Sequence, residues 1–319
     1  ATLAPTAALL LVTTAVQAQS QPYPSKPLRL IVASAPGGSP DINSREMAAE
    51  LVKQMGQQIV VENRPGASGI LGLELLARAT PDGYTIGITS NFVSTNPSLY
   101  VKLPYDFFRD FAPIIFYLRG VNVLTVSASS PFKSVRELID FAKANPGKLT
   151  FGSSGVGATP HLTMELFKSM TGTQMVHVPY KGTQLAVTDI LGGQINILAD
   201  NLASLIPLVQ SGRLRALAVT SLKRSPAVPD LPTLDESGLP GYELTGWLGV
   251  AAPKATPRHI VLKLNAEINN ALKSANVTKG IASRGGTVAG GTAEAFSEHV
   301  RKETEKMSKL LNELGIKPQ

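Results

Sequence analysis

Cysteine is absent from the 319-residue chain and histidine is scarce. Without thiols there is no disulfide framework, and an exported two-domain protein of this size does not need one. The four histidines, His161, His177, His259 and His299, lie at no metal-ligand spacing, so no metal site and no cofactor are expected. Trp247 is the only tryptophan and falls in an extended stretch, where it is expected to pack a hinge. Lysine and arginine give a net charge of +7 but are scattered, with no basic run and no interleaved aromatics. That excludes a nucleic-acid partner and leaves solvated surface charge. No solenoid repeat, no low-complexity segment and, beyond the first residues, no uninterrupted apolar run of membrane length is present.

Residues 1–18 differ from the rest. Residues 7–16 are apolar and uncharged, and Val16-Gln17-Ala18 has small residues where a signal peptidase requires them. No basic n-region precedes them. A leader over 1–18 and a mature start near Gln19 are expected, which places the protein in the periplasm of a Gram-negative bacterium.

What remains is long for one domain and comfortable for two. With 43% apolar and 17% charged residues, each half can bury a core. Strand-like and helix-like segments alternate, which predicts an α/β fold with parallel sheets. Ligands in such sheets sit beyond the carboxyl ends of the strands. A strand-like tract over 112–127 is interrupted at Gly120, and a return tract over 242–251 follows four prolines in 221–240. Both read as crossings between lobes. The expected division is 21–121 plus 245–319 for one domain and 122–244 for the other, with a cleft between them.

Two stretches repeat one device. Residues 28–34 form an apolar strand that breaks at Pro36-Gly37-Gly38; Ser39 then reads as an N-cap, with Pro40 at the first helical position. A strand, exposed glycine amides and a helix start make an anion seat, because the first helical N–H groups have no partner of their own. Between a strand at 149–152 and a helix at 158–170 lies Gly152-Ser153-Ser154-Gly155-Val156-Gly157-Ala158-Thr159-Pro160-His161, with glycines, hydroxyls and a helix start again. Two seats from opposite lobes, rich in donors and poor in fixed positive charge, suit a carboxylate.

Sharper motifs fail. No Gly-Lys-Ser/Thr supports a P-loop, and Pro160 stands where a dinucleotide fingerprint needs its third glycine. Val156 stands where a nucleophile elbow on Ser154 needs glycine. His161 follows the serines without an apparent orienting carboxylate and reads as a cap or packing residue. Asp200, at the end of another strand, either reads a ligand amine or hydroxyl or caps the helix beginning at Leu202. Lys181 either attracts an anion or is plain surface.

Ala35-Pro36-Gly37-Gly38 with Asp41 and Arg45, Val61-Glu62-Asn63-Arg64-Pro65-Gly66, Pro81-Asp82-Gly83-Tyr84 and Val178-Pro179-Tyr180-Lys181-Gly182 share one pattern. With Gly246-Trp247 and Thr256-Pro257 they resemble the Bug family, the periplasmic solute-binding proteins of tripartite tricarboxylate transporters. The resemblance covers about residues 23–315. It implies a two-lobed periplasmic binding protein-like fold of type II, with two crossings and the ligand in the interdomain cleft. In that family the loops matching 35–41 and 152–159 hold a carboxylate through amides, hydroxyls and bridging waters. Ala33-Ser34 replaces a usual proline and aromatic, and Leu185 a frequent proline, so one pocket wall should be missing.

The expectation is therefore a monomeric, non-catalytic receptor that captures a small carboxylate (dicarboxylate, amino acid or aromatic acid) by closing its cleft and hands it to membrane transporter subunits. The expected ligand-binding residues are Ser34, Gly37, Gly38, Asp41, Ser90, Asn91, Ser153, Ser154, Gly157, Thr159, His161 and Asp200. The rivals are a sensor that reports ligand state to a partner protein and a serine hydrolase using Ser153 or Ser154.

Overall fold

The structure is a computed structural model that describes residues 23–318; the expected leader lies outside them. The chain begins with β1 (Leu28–Val32), α1 (Ser39–Met55) and β2 (Ile59–Asn63), then a short 3-10 turn (Ala67–Gly69) and α2 (Ile70–Ala77). β3 (Thr85–Ser90), α3 (Phe92–Leu99), the one-turn α4 (Phe107–Asp110) and β4 (Phe111–Gly120) follow. β5 (Asn122–Ser127), α5 (Val135–Ala144), β6 (Thr150–Ser153), α6 (Thr159–Thr171), β7 (Val176–Pro179) and α7 (Thr183–Leu191) come next. β8 (Ile197–Asn201), α8 (Leu202–Gln210) and β9 (Leu214–Val219) lead into a long turn-rich excursion. The chain ends with β10 (Gly246–Pro253), α9 (Arg258–Lys273), α10 (Ala275–Ser283), β11 (Thr287–Val288) and α11 (Ala293–Glu313).

Two sheets result. The first has the order β11-β4-β10-β3-β1-β2 and the second β7-β6-β8-β5-β9. Parallel sheets were expected, but three of the five pairings in the first sheet and two of the four in the second are antiparallel. β1 pairs in parallel with β2 and β3, while β10 runs against both β3 and β4. β6 pairs in parallel with β7 and β8, while β5 runs against β8 and β9. The reversed strands β5 and β10 are those by which the chain enters the second sheet and returns to the first. Only Val121 separates β4 from β5, so a near-continuous strand joins the sheets, and β10 returns beside β4. α/β units build each half, and the crossings supply the reversed strands.

The buried strands read as apolar runs because both faces are covered. Leu28, Leu30 and Val32 of β1 pack with Met47, Ala48 and Leu51 of α1 and with Leu264 and Ile268 of α9. In the second sheet Phe151, Ile197 and Ala199 pack with Leu162 and Phe167 of α6. Met307 and Leu311 of α11 and Leu99 of α3 join that second core, so the C-terminal helix bridges both halves.

At α1 the cap differs from expectation by one residue. The N-cap of α1 is Gly38, not Ser39, and no side chain caps it, because Pro40 falls in the first turn and Asp41 takes the amide of Gly37. At α5 the Ser134 hydroxyl accepts from the Glu137 N–H, and the Glu137 carboxylate accepts from the Lys133 N–H, one residue before the cap.

Candidate functional site

Between the sheets lies a cavity of about 130 Å³. Its wall includes Ser34, Gly38 and Ser39 after β1, Ser68 in the 3-10 turn, and Ser90, Asn91 and Phe92 after β3. The other half contributes Ser154 and Thr159 after β6, Tyr180 and Thr183 after β7, and Asp200 and Asn201 at the end of β8. Trp247 closes it from β10. Five helices, α1, α3, α6, α7 and α8, start at these wall residues. The first N–H groups of a helix have no partner within it and its dipole is positive at that end, which favours an anion here; at α8 the Leu202 N–H is already given to the Val121 carbonyl at 2.8 Å.

Seven of the twelve expected site residues line this cavity: Ser34, Gly38, Ser90, Asn91, Ser154, Thr159 and Asp200. Five stand behind the wall. Gly37 turns at φ +78° and gives its N–H to Asp41 Oδ2 at 2.9 Å. Asp41 is buried and also accepts from Arg45 Nε at 2.9 Å. Burial alone would raise its pKa, but the bonds from Arg45 and Gly37 override that and hold it below the usual carboxylate range.

Gly157, Ser153 and His161 form the matching support in the other half. Gly157 turns at φ +74° and donates its N–H to His161 Nδ1 at 3.2 Å. Ser153 is fully buried, its Oγ 2.7 Å from His177 Nε2 and 3.1 Å from the Gly155 carbonyl. His161 stacks on His177 with ring centroids 4.2 Å apart, and His177 stacks in turn on Phe151. Burial, the leading cause, holds His161 down to about 4 and His177 to about 3, so both rings are neutral at pH 7. A Ser–His contact does exist, then, but its hydroxyl faces the protein core and not the cavity.

Asp200 is the acidic side chain of the wall. Its Oδ2 accepts from Thr183 Oγ1 at 2.7 Å and its Oδ1 from Asn201 N–H at 2.6 Å. Burial pushes its pKa up to about 6 against those hydrogen bonds. It lines the cavity and does not cap α8, whose N-cap is Asn201 with no side-chain cap bond. Lys181 is exposed at the rim.

The missing wall is replaced. Phe92, Tyr180 and Trp247 bring aromatic faces to the cavity, with Tyr180 OH donating to Asp189 at 2.6 Å. Sequence reading had left Phe92 and Tyr180 out of the site, along with Ser39, Ser68, Thr183 and Asn201. Most lie at helix starts after strand ends, the signal already used at the two seats. Ser34 Oγ is buried on the wall with no partner among the described residues.

The model of the tripartite tricarboxylate transporter family receptor matches residues 43–316. The chain belongs to that family. Among curated relatives, a protein encoded in the tcbD-tcbE intergenic region of Pseudomonas sp. (strain P51) is 39% identical over 97% of this chain and 93% of its own length. BugT of Bordetella pertussis is 35% identical over 92% of this chain and 91% of its own. Among solved structures, R. palustris Rpa4515 with adipate superposes with a TM-score of 0.91 at 38% identity, covering 93% of this chain and all of that one. MatC from Rhodopseudomonas palustris with bound malate gives 0.86 at 28% identity, over 91% and 100%. As a member of this receptor family the chain is a solute-binding protein, not an enzyme, with the two-lobed fold of the periplasmic binding proteins. Among the described residues no helix is long and apolar enough to cross a membrane.

Proposed function

We propose that this receptor captures a small mono- or dicarboxylate in the cavity between its sheets, in the periplasm, and presents it to the membrane subunits of a tripartite transporter. The observation that carries the reading is the meeting of five helix N-termini on a wall of hydroxyls and amides, with one lysine at its rim. Such a wall stabilises an anion without a dedicated arginine. Adipate and malate, held by two structural neighbours, are dicarboxylates and are the first probes. Ser34, Gly38, Ser90, Asn91, Ser154, Thr159 and Asp200 contact the ligand, while Gly37, Asp41, Ser153, Gly157 and His161 hold the loops that do. Binding favours the closed cleft to the extent that contacts from both halves form only there.

The test is a thermal-shift screen of small mono-, di- and tricarboxylates, with the methyl ester and primary amide of each hit as controls. An acid at a hundredfold excess over its Kd should stabilise the protein by roughly 2.7 kcal/mol. Ester and amide should bind more than about tenfold more weakly, since each loses charge-assisted hydrogen bonds. Esters that bind as well as acids would refute the assignment.

A further inference from the structure

We propose that Ser68 is a latch across the cleft, whose strained hydroxyl sets the balance between open and closed lobes. The proposal rests on the cleft-closure reading above. Ala67 and Ser68 follow one another at φ +46° and +52°, and they are the two non-glycine residues of the described chain with positive φ. Side-chain-bearing residues avoid this left-handed region, and two in succession need outside support. Asn96, buried in α3, provides it: its Nδ2 donates to the Ser68 carbonyl at 3.1 Å and is anchored at 2.9 Å to the hydroxyl of buried Tyr105.

Glycine would take the same backbone path without strain. What glycine lacks is the hydroxyl. Ser68 Oγ donates to the carbonyl of Val156, in the loop after β6, at 2.6 Å, and accepts from Tyr100 OH at 3.1 Å. The bond therefore joins the two halves 88 residues apart in sequence, at the mouth of a cavity that Ser68 itself lines. Beside it Thr95 Oγ1 donates to the Gly157 carbonyl at 3.2 Å, and on the opposite rim Gln184 Nε2 reaches the Gly37 carbonyl at 3.0 Å. Strain held in place by a buried asparagine, and used to aim one hydroxyl across a hinge, is a conformational device. It is not a packing accident.

The chain has no cysteine, so two can be introduced and labelled uniquely. Val60→Cys on β2 and Val176→Cys on β7 are exposed positions on edge strands of the two sheets. Spin-label distances are measured without added carboxylate in this parent, in Ser68→Ala and in Ser68→Gly. Both substitutions should move the open-to-closed ratio roughly two- to tenfold toward longer distances, the range expected for one hydrogen bond. Only Ser68→Gly should also raise Tm, because it alone relieves the left-handed strain. Unchanged distances in Ser68→Ala would overturn the latch, as would a Ser68→Gly protein that melts below Ser68→Ala. Since no ligand is added, this outcome is independent of the carboxylate screen.

Discussion

The backbone N–H of Gly157 donates to Nδ1 of His161, four residues on, at 3.2 Å. Gly37 and Asp41 make the same connection in the other half at 2.9 Å. Each glycine turns at nearly the same positive φ, and a proline follows three residues later. Each seat is thus braced from inside its own helix. The amides of Gly37 and Gly157 are committed to the braces, and the cleft receives the groups that come next, at Gly38 and Ser39 or at Thr159.

The brace at His161 makes the protein acid-sensitive. Nδ1 accepts only while the ring is neutral, and burial holds the pKa of His161 near 4 and that of His177 near 3. A folded-state value below the unfolded 6.5 means that the unfolded chain takes the proton first. The stability is therefore complete above pH 6.5 and is lost as pH falls toward 4. Tm measured from pH 7.5 to 4 should fall, and His161→Gln should melt lower at pH 7 with a shallower slope. Equal slopes would disprove the brace.

Glycine substitution separates conformational strain from steric conflict. A Cβ on Gly157 would lie 2.0 Å from Leu99 Cδ1, at φ +74°, whereas one on Gly56 at φ +67° meets nothing within 4 Å. Gly56→Ala should cost about 1 kcal/mol from left-handed strain alone. Gly157→Ala should cost roughly 2–5 kcal/mol, since overpacking is added to strain. Denaturant melts of the two variants decide this; equal losses would mean that Leu99 yields without penalty.

Asp200 titrates in the opposite sense. Burial lifts its pKa to about 6, so the folded state holds the proton first and loses stability as pH rises from about 4 to 6. The same charge faces the cavity. A carboxylate found in the screen should bind more tightly at pH 5.5 than at pH 7.5, and Asp200→Asn should remove most of that difference. Calorimetry at the two pH values checks it, and an unaltered pH dependence in Asp200→Asn would exclude Asp200 as its source.

The architecture was legible because it rests on periodicity and punctuation. α8 begins at Leu202 as the pattern predicts, and the expected interruption at Gly120 is the end of β4. Strand direction was not legible. β5 and β10 are as apolar as parallel strands, since both of their faces are buried too, so composition carries no sign of their reversal. At the site, the chain marked which loops converge but not which atoms face inward. Asp41 and His161 look like ligand groups in sequence and are turned into braces by a four-residue helical reach that only coordinates reveal. Phe92 escaped notice because α3 contains Pro97, a residue that argues against a helix.

Trp247 should report occupancy of the site. It is 3% exposed, lines the cavity, and packs edge-on against Phe116 and Phe296 with centroids 6.3 and 5.8 Å away. Its backbone N–H donates to Asn91 Oδ1 at 2.9 Å, tying β10 to the start of α3, the helix whose Asn96 holds Ser68. As the only tryptophan it gives emission a single source. A ligand on this wall changes the solvation and packing of the indole face, so emission should shift with a carboxylate and stay constant with its ester. Asn91→Ala leaves a buried N–H without its acceptor, which should cost roughly 1–3 kcal/mol. It also frees β10 from α3, so the emission response should shrink even at saturating carboxylate. Titration of the parent and of Asn91→Ala, each followed by fluorescence and by calorimetry, separates lost affinity from lost coupling. A full emission response in Asn91→Ala at saturation would show that Trp247 senses the ligand without this tie.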